Sequence, residues 1–97
     1  MGILDSLRIY RGKWQVKSTD AFSADDINKV SRAEVVASEY GKAVCLHLVS
    51  GGYQYMPVSS SSKVEAPIGS NVDLAKCNCV TLGREGDDDI KRIEING

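Results

Sequence analysis

Cations and aromatic rings interleave near the start of this chain, where Arg8, Tyr10, Arg11, Lys13, Trp14 and Lys17 share one short stretch. Tyr53 and Tyr55 follow two positions apart, on one face of an expected strand. Rings that stack on bases and cations that meet phosphates are what binds single-stranded nucleic acid. The plainer reading of Trp14, the only tryptophan, is a place in the core. For the tyrosines the choice turns on Met56. With Met56 inside, Tyr53 and Tyr55 both stand outside, and two exposed rings in a row need a reason.

Other chemistries find weaker footing. Cys45-x-His47 and Cys77-x-Cys79 hold zinc-friendly atoms, yet structural zinc pairs usually sit two to four residues apart on a turn. Buried thiols are the default for such cysteines. His47 is the only histidine, and a Cys45–His47 nucleophile pair along a strand would be about 7 Å apart from the rise per residue. No acid or amide is identifiable to orient it. Asp87, Asp88 and Asp89 are consecutive, whereas calcium loops alternate their acids around a glycine. Gly51-Gly52 lacks the Lys-Ser/Thr and helix of a phosphate loop. No catalytic residue, cofactor or metal is therefore expected.

The totals describe an ordinary soluble domain. The chain has 97 residues with a formal net charge of -1, enough for one domain with one modest core. Three cysteines without a signal-peptide pattern favour free thiols in a reducing compartment, and the expectation is a cytoplasmic protein. No apolar run approaches the roughly 20 residues of a membrane helix. Gly2 and Ser6 fit a myristoylation pattern, but one short enough to arise by chance. Charge is uneven: Arg8, Arg11, Lys13 and Lys17 face Asp5 alone in the first stretch, while Asp73, Glu85 and Asp87 to Asp89 outnumber Lys76 and Arg84 later. Such asymmetry can build one basic face, or simply two solvated ones.

Short β-like runs separated by turn chemistry must position these residues. Residues 13–18 alternate, with Trp14, Val16 and Ser18 on one side. Ser23 is an N-cap followed by Asp25 and Asp26, which predicts one or two helical turns at about 24–29, with Phe22 stapled onto Ile27. Residues 32–37 return to strand. Residues 43–49 are the most apolar run, with Val44, Leu46 and Leu48 on one face and Cys45, His47 and Val49 on the other. Gly51-Gly52 closes a hairpin into residues 53–58, where Pro57 marks an edge or an end. Residues 68–74 re-enter the sheet, 75–82 continue it, and 90–95 finish it. The Ile90-to-Ile93 spacing suggests a bulge or a late start near Arg92. Val44, Leu46, Leu48, Val80 and Leu82 are expected in one core.

From Val35 onward the chain resembles small barrel proteins from gut bacteria and their phages. Some of these are described as single-stranded DNA-binding proteins, and many are uncharacterised. The stretches that carry it are Val35-Val36-Ala37-Ser38-Glu39-Tyr40-Gly41, residues 53–58 with the serine tract, and Thr81-Leu82-Gly83-Arg84-Glu85-Gly86-Asp87-Asp88-Asp89-Ile90. They are turn and strand patterns of low specificity over about two-thirds of the chain. The resemblance implies an oligonucleotide-binding-like barrel and single-strand binding, and transfers no site residues. The acidic tail with a hydrophobic tip found in bacterial single-strand binders is absent after Ile95.

The expected fold is mainly β: a small antiparallel barrel of five to six strands over residues 1–97, with one short helix. Residues 1–30 would supply an N-terminal strand and that helix. An oligonucleotide-binding-like barrel comes first, and an SH3-like barrel or small sandwich second, because closure removes exposed edges. The expected function is non-enzymatic binding of single-stranded nucleic acid through Arg8, Tyr10, Arg11, Lys13, Trp14, Lys17, Tyr53 and Tyr55. The alternative is a protein-interaction or structural module whose Tyr53/Tyr55 strand contacts a second copy or another protein.

Overall fold

The structure, a computed structural model, describes residues 12–39 and 41–97. Its strands are β1 (Gln15–Ala21), β2 (Val30–Ser38), β3 (Gly41–Leu48), β4 (Tyr53–Pro57), β5 (Cys77–Gly83) and β6 (Ile90–Ile95). A five-residue helix, α1 (Ala24–Asn28), follows β1, and a 3-10 turn at Leu74–Lys76 precedes β5. Two antiparallel three-stranded sheets result, in the orders β1-β5-β6 and β2-β3-β4.

Two backbone seams join them. Past β4, Val58 bridges Ile93 in parallel, and the Ser59 N–H donates to the Ile93 carbonyl at 2.8 Å. Residues 69–72 run antiparallel along the far edge of β2: Val35 N–H donates to Ser70 at 2.9 Å, and Val72 N–H to Ala33 at 2.9 Å. That segment then feeds β5. The returning chain thus lies beside the first strand of a three-strand meander, a Greek-key order. Among the described residues no pairing joins β1 to the β2 side, so the expected closure into a barrel is not present.

Inward residues of both sheets meet in one core of Ala33, Val44, Leu46, Met56, Leu74, Cys77, Ile93 and Ile95. Phe22 and Ile27, at the two ends of the helical turn, pack against it. Ser23 caps that helix, its Oγ accepting from Asp26 N–H at 3.1 Å. The expected helix and hairpin are both found. Gly51 and Gly52 turn β3 into β4 with φ of 89° and 96°, a region that side chains disfavour.

Three expectations fail for reasons of register. Val80 is fully buried, as expected, but neither it nor Leu82 joins this cluster: Cys77 and Cys79 take the inward face of β5, so alternation turns Val80 and Leu82 to the other side. Ile90 sits opposite Leu82 there, and the β5–β6 register runs unbroken, so β6 has no bulge. In β1 the register slips between Val16 and Ser18, which breaks the expected alternation and leaves Val16 60% exposed. A second slip lies between Val30 and Arg32. The extra residue, Ser31, donates its hydroxyl to the His47 carbonyl at 3.0 Å. This bulge lets Val30 and Ala33 both face the core, and it turns Arg32 and Glu34 outward.

Among the described residues no helix is long and apolar enough to cross a membrane.

Candidate functional site

The outer face of the β2-β3-β4 sheet gathers rings and charges. Met56 is buried in the core, so its neighbours Tyr53 and Tyr55 project the other way, 64% and 63% exposed. The Val58 N–H turns toward Lys42 on the β3 side at 3.0 Å. By alternation, Tyr53, Tyr55 and Pro57 turn their backbone groups away from β3. Tyr53 opposite His47 and Tyr55 opposite Cys45 are therefore the non-hydrogen-bonded pairs, whose side chains stand closest.

The contacts follow. The His47 and Tyr53 rings meet edge to face, with centroids 5.0 Å apart and planes at 77°. Cys45, on the central strand, is covered from both sides and only 4% exposed. Tyr55 lies over it, and its phenol is held above the ordinary value, first by charge on Cys45, then by a hydrogen bond with that thiol.

Charges border the rings on β2. The His47 Nε2 lies 2.9 Å from Glu34 Oε1. A carboxylate only accepts, so this contact is a hydrogen bond when Nε2 carries a proton, whereas the Arg32 N–H groups can only donate. Arg32 reaches the same carboxylate at 3.5 Å and approaches Nε2 at 3.2 Å. The His47 hydrogen bond is the main cause, with Arg32 assisting, that holds the Glu34 carboxyl below its ordinary value. This trio was not singled out from sequence, because the bulge at Ser31 decides whether Arg32 and Glu34 share the face of His47.

The other expected site residues lie elsewhere. Arg8, Tyr10 and Arg11 fall outside the described residues. Lys13 is exposed, and Trp14 is half-buried with the Arg84 guanidinium 4.4 Å above its ring, a cation–π contact. Lys17 meets Asp89 at 2.9 Å, and Arg84 binds Asp87 at 2.6 Å. The acidic turn therefore lies beside β1 and pairs with its Lys17, while Arg84 and Asp87 pair within the turn. With β5 and β6 between them, β1 and β4 are separated by three strand spacings of about 4.8 Å each. The expected site thus divides: Tyr53 and Tyr55 stay together, while Lys13, Trp14 and Lys17 lie in a separate region where Lys17 is paired with Asp89.

Cys45 and His47 share the outer face, while Cys77 is in the core and Cys79 packs against it. Among the described residues no cluster of three or more His, Cys, Asp or Glu could hold a metal ion. Compared with known proteins, this chain matches no family model, no curated protein and no solved structure.

Proposed function

We propose that this protein is a non-enzymatic, single-stranded nucleic-acid-binding domain with an oligonucleotide-binding-like, partly open barrel. The observation that carries the reading is the pair of rings, Tyr53 and Tyr55, standing exposed side by side on the β3-β4 face. In the Greek-key order here, β2, β3 and β4 correspond to the first three strands of such a barrel, whose second and third strands form the nucleic-acid face. Alternate residues of a strand stand about 7 Å apart, so each ring can take one base of an extended strand. Arg32 on the same face pairs with the Glu34 carboxylate at 3.5 Å and adds little free charge. Because Lys17 is paired and β1 is remote, binding rests on stacking more than on charge.

Fluorescence anisotropy of a labelled oligothymidylate tests this. Tyr53→Ala and Tyr55→Ala should each weaken binding by about 1–3 kcal/mol. The affinity should fall only gently with salt, with a slope of roughly -0.7 per phosphate contact. Absence of binding up to high micromolar protein at low salt would reject the reading.

A second reading, a protein-interaction module, has an observation of its own. The backbone groups of Tyr53 and Tyr55 that turn away from β3 have no strand partner among the described residues. An extended peptide could add there as a strand, with the tyrosines flanking it. The pairing of Lys17 with Asp89 also favours this reading. If the Tyr variants leave oligonucleotide binding unchanged but alter sedimentation or capture of an extended peptide, the second reading replaces the first.

A further inference from the structure

β4 and β6 are zipped together only from Val58 onward, and on the near side of that bridge they part. Pro57 explains where the zipper stops. Ser59 donates toward β6, and Pro57, two residues earlier, faces the same way but has no N–H. In the gap lies a cleft of about 620 Å³. That is within the usual range of about 300–1,000 Å³ for small-molecule sites, which favour the mouths of β-barrels.

The cleft is built in layers. Its floor is apolar: Leu46, Met56, Leu74 and Cys79, all of them core residues or packed against the core. At the exposed rim above the floor stand two polar residues that share the inward face by strand alternation, Gln54 two before Met56 and Lys91 two before Ile93. Lys91 is exposed and lines the open side of the cleft. Lys91 Nζ donates to the Thr81 hydroxyl at 2.8 Å, and among the described residues no carboxylate lies within ion-pairing distance of it. Lys29, at the end of α1, adds a second cation to the rim, against the single acid Asp26. The ammonium has two N–H donors left for an anion, and the floor below it has no polar group to satisfy.

We propose that this cleft binds a small amphipathic carboxylate, with its hydrocarbon body on Leu46, Met56 and Leu74 and its carboxylate on Lys91. The occupant is chosen by complementarity: an apolar floor selects a chain, and an exposed rim cation, paired with no carboxylate among the described residues, selects a negative head. The site is separate from the Tyr53/Tyr55 face, since Gln54 and Met56 point to the opposite side of β4.

The test uses the intact protein and decanoate below its micelle-forming concentration, followed by methyl and amide NMR. Decanoate should give saturable shifts at Met56, Leu46 and Leu48 and leave Tyr53 and Tyr55 in place. Acetate, which has the charge without the chain, should give none at the same concentration. Decanol, which has the chain without the charge, should bind about tenfold more weakly. Lys91→Met, which keeps the aliphatic stem, should weaken decanoate by a similar factor and leave decanol unchanged. Decanol binding as tightly as decanoate would overturn the proposal, as would shifts confined to the tyrosine face or no saturable shift at all. The decanoate-against-decanol comparison in the unaltered protein decides the matter should Lys91→Met fold poorly.

Discussion

Lys17 Nζ lies 2.9 Å from Asp89 Oδ2, across the bulge of β1 and the turn that enters β6. Gly83 makes room for this, because a Cβ there would run into the Lys17 stem. The pair shows how the net charge of a segment misleads: the cation of β1 is matched by an acid that lies far from it in the sequence. Both groups are about half exposed, so the bridge is worth at most about 1 kcal/mol. Lys17→Ala should therefore change the urea midpoint only slightly. It should also change oligonucleotide affinity by less than about twofold, since a paired cation remote from the rings releases few counterions. A marked flattening of the salt slope in this variant would return the phosphate path to β1.

On the ring face the two tyrosines should differ in what else they do. Tyr53 carries the edge contact with His47, and Tyr55 covers Cys45. Tyr53→Ala should lower oligonucleotide affinity with little effect on thiol chemistry. Tyr55→Ala should lower affinity and also open Cys45 to labelling. Stability loss should be modest in both, because both rings are mostly exposed. Equal Cys45 labelling rates in the two variants would contradict the cover assigned to Tyr55.

Much of this face was legible in the sequence, and its limits have a physical cause. The Gly51-Gly52 hairpin sets the β3–β4 register, and Met56 inside means Tyr53 and Tyr55 outside. The helical turn was legible too, from Ser23 and its two acids. What period-two reading could not supply was the phase after a bulge. One extra residue at Ser31 swaps the faces of Arg32 and Ala33, and one at Lys17 leaves Val16 exposed. Neither site carries a glycine to mark it. Val80 is buried as expected, but it and Leu82 face away from the Val44 and Leu46 cluster for a related reason. Cys77 and Cys79 are small and apolar enough to take the inward face, and composition does not rank them below valine and leucine. Pairings between distant segments, such as Lys17 with Asp89 or β6 with residues 58–63, have no local signal.

The thiols should react in a fixed order. Cys79 is the one half-exposed cysteine, while Cys45 and Cys77 are buried. Burial, with Asp73 assisting, pushes the Cys77 thiol up to about 11, and its Sγ donates to the Asp73 carbonyl at 3.4 Å. Thiolate is the reactive species, so at pH 8 Cys79 should label first with a disulfide reagent, and Cys77 last. All three should label rapidly in denaturant. The raised Cys77 value also has a stability sign. The native state holds that proton more tightly than the unfolded chain, so its contribution is present below pH 9.0 and is lost as pH rises toward about 11. Cys77→Ser should reduce the alkaline part of the urea-midpoint profile, and early labelling of Cys77 would refute its placement.

On the acid side the sign reverses. Glu34, Glu65 and Glu94 all sit below the ordinary value of 4.5. The leading causes are the hydrogen bonds from His47 to Glu34, from Lys42 to Glu65, and from Ser61 and Asn78 to Glu94. The native protein thus binds fewer protons than the unfolded chain just below that value. Stability from these groups is complete above pH 4.5 and drains away as pH falls through the lowered native values. Urea midpoints should be flat from about pH 6 to about 5 and then decline. Glu34→Gln should make that decline shallower by removing one of the three contributions, and a profile identical to the parent's would show that the His47–Glu34 contact does not hold in solution.

Pro57 should be the residue that keeps the cleft open. Its nitrogen faces β6 and cannot donate, so the parallel zipper begins at Ser59. Pro57→Ala supplies the missing N–H and relaxes the φ restraint. Two opposing effects on stability follow. The unfolded chain gains freedom worth about 0.4–1 kcal/mol, and a new backbone hydrogen bond returns about 0.5–1.5 kcal/mol. The net change should therefore be small. The structural change should not be. With the zipper extended by one step toward Lys91, the amide that Pro57→Ala introduces should be protected from hydrogen exchange. Decanoate should bind this variant more weakly, because the space between Gln54 and Lys91 narrows. The Tyr53/Tyr55 face is on the other side of β4, so oligonucleotide affinity should be unchanged. Rapid exchange of the introduced amide, with undiminished decanoate binding, would show that something other than the missing donor sets the width of the cleft.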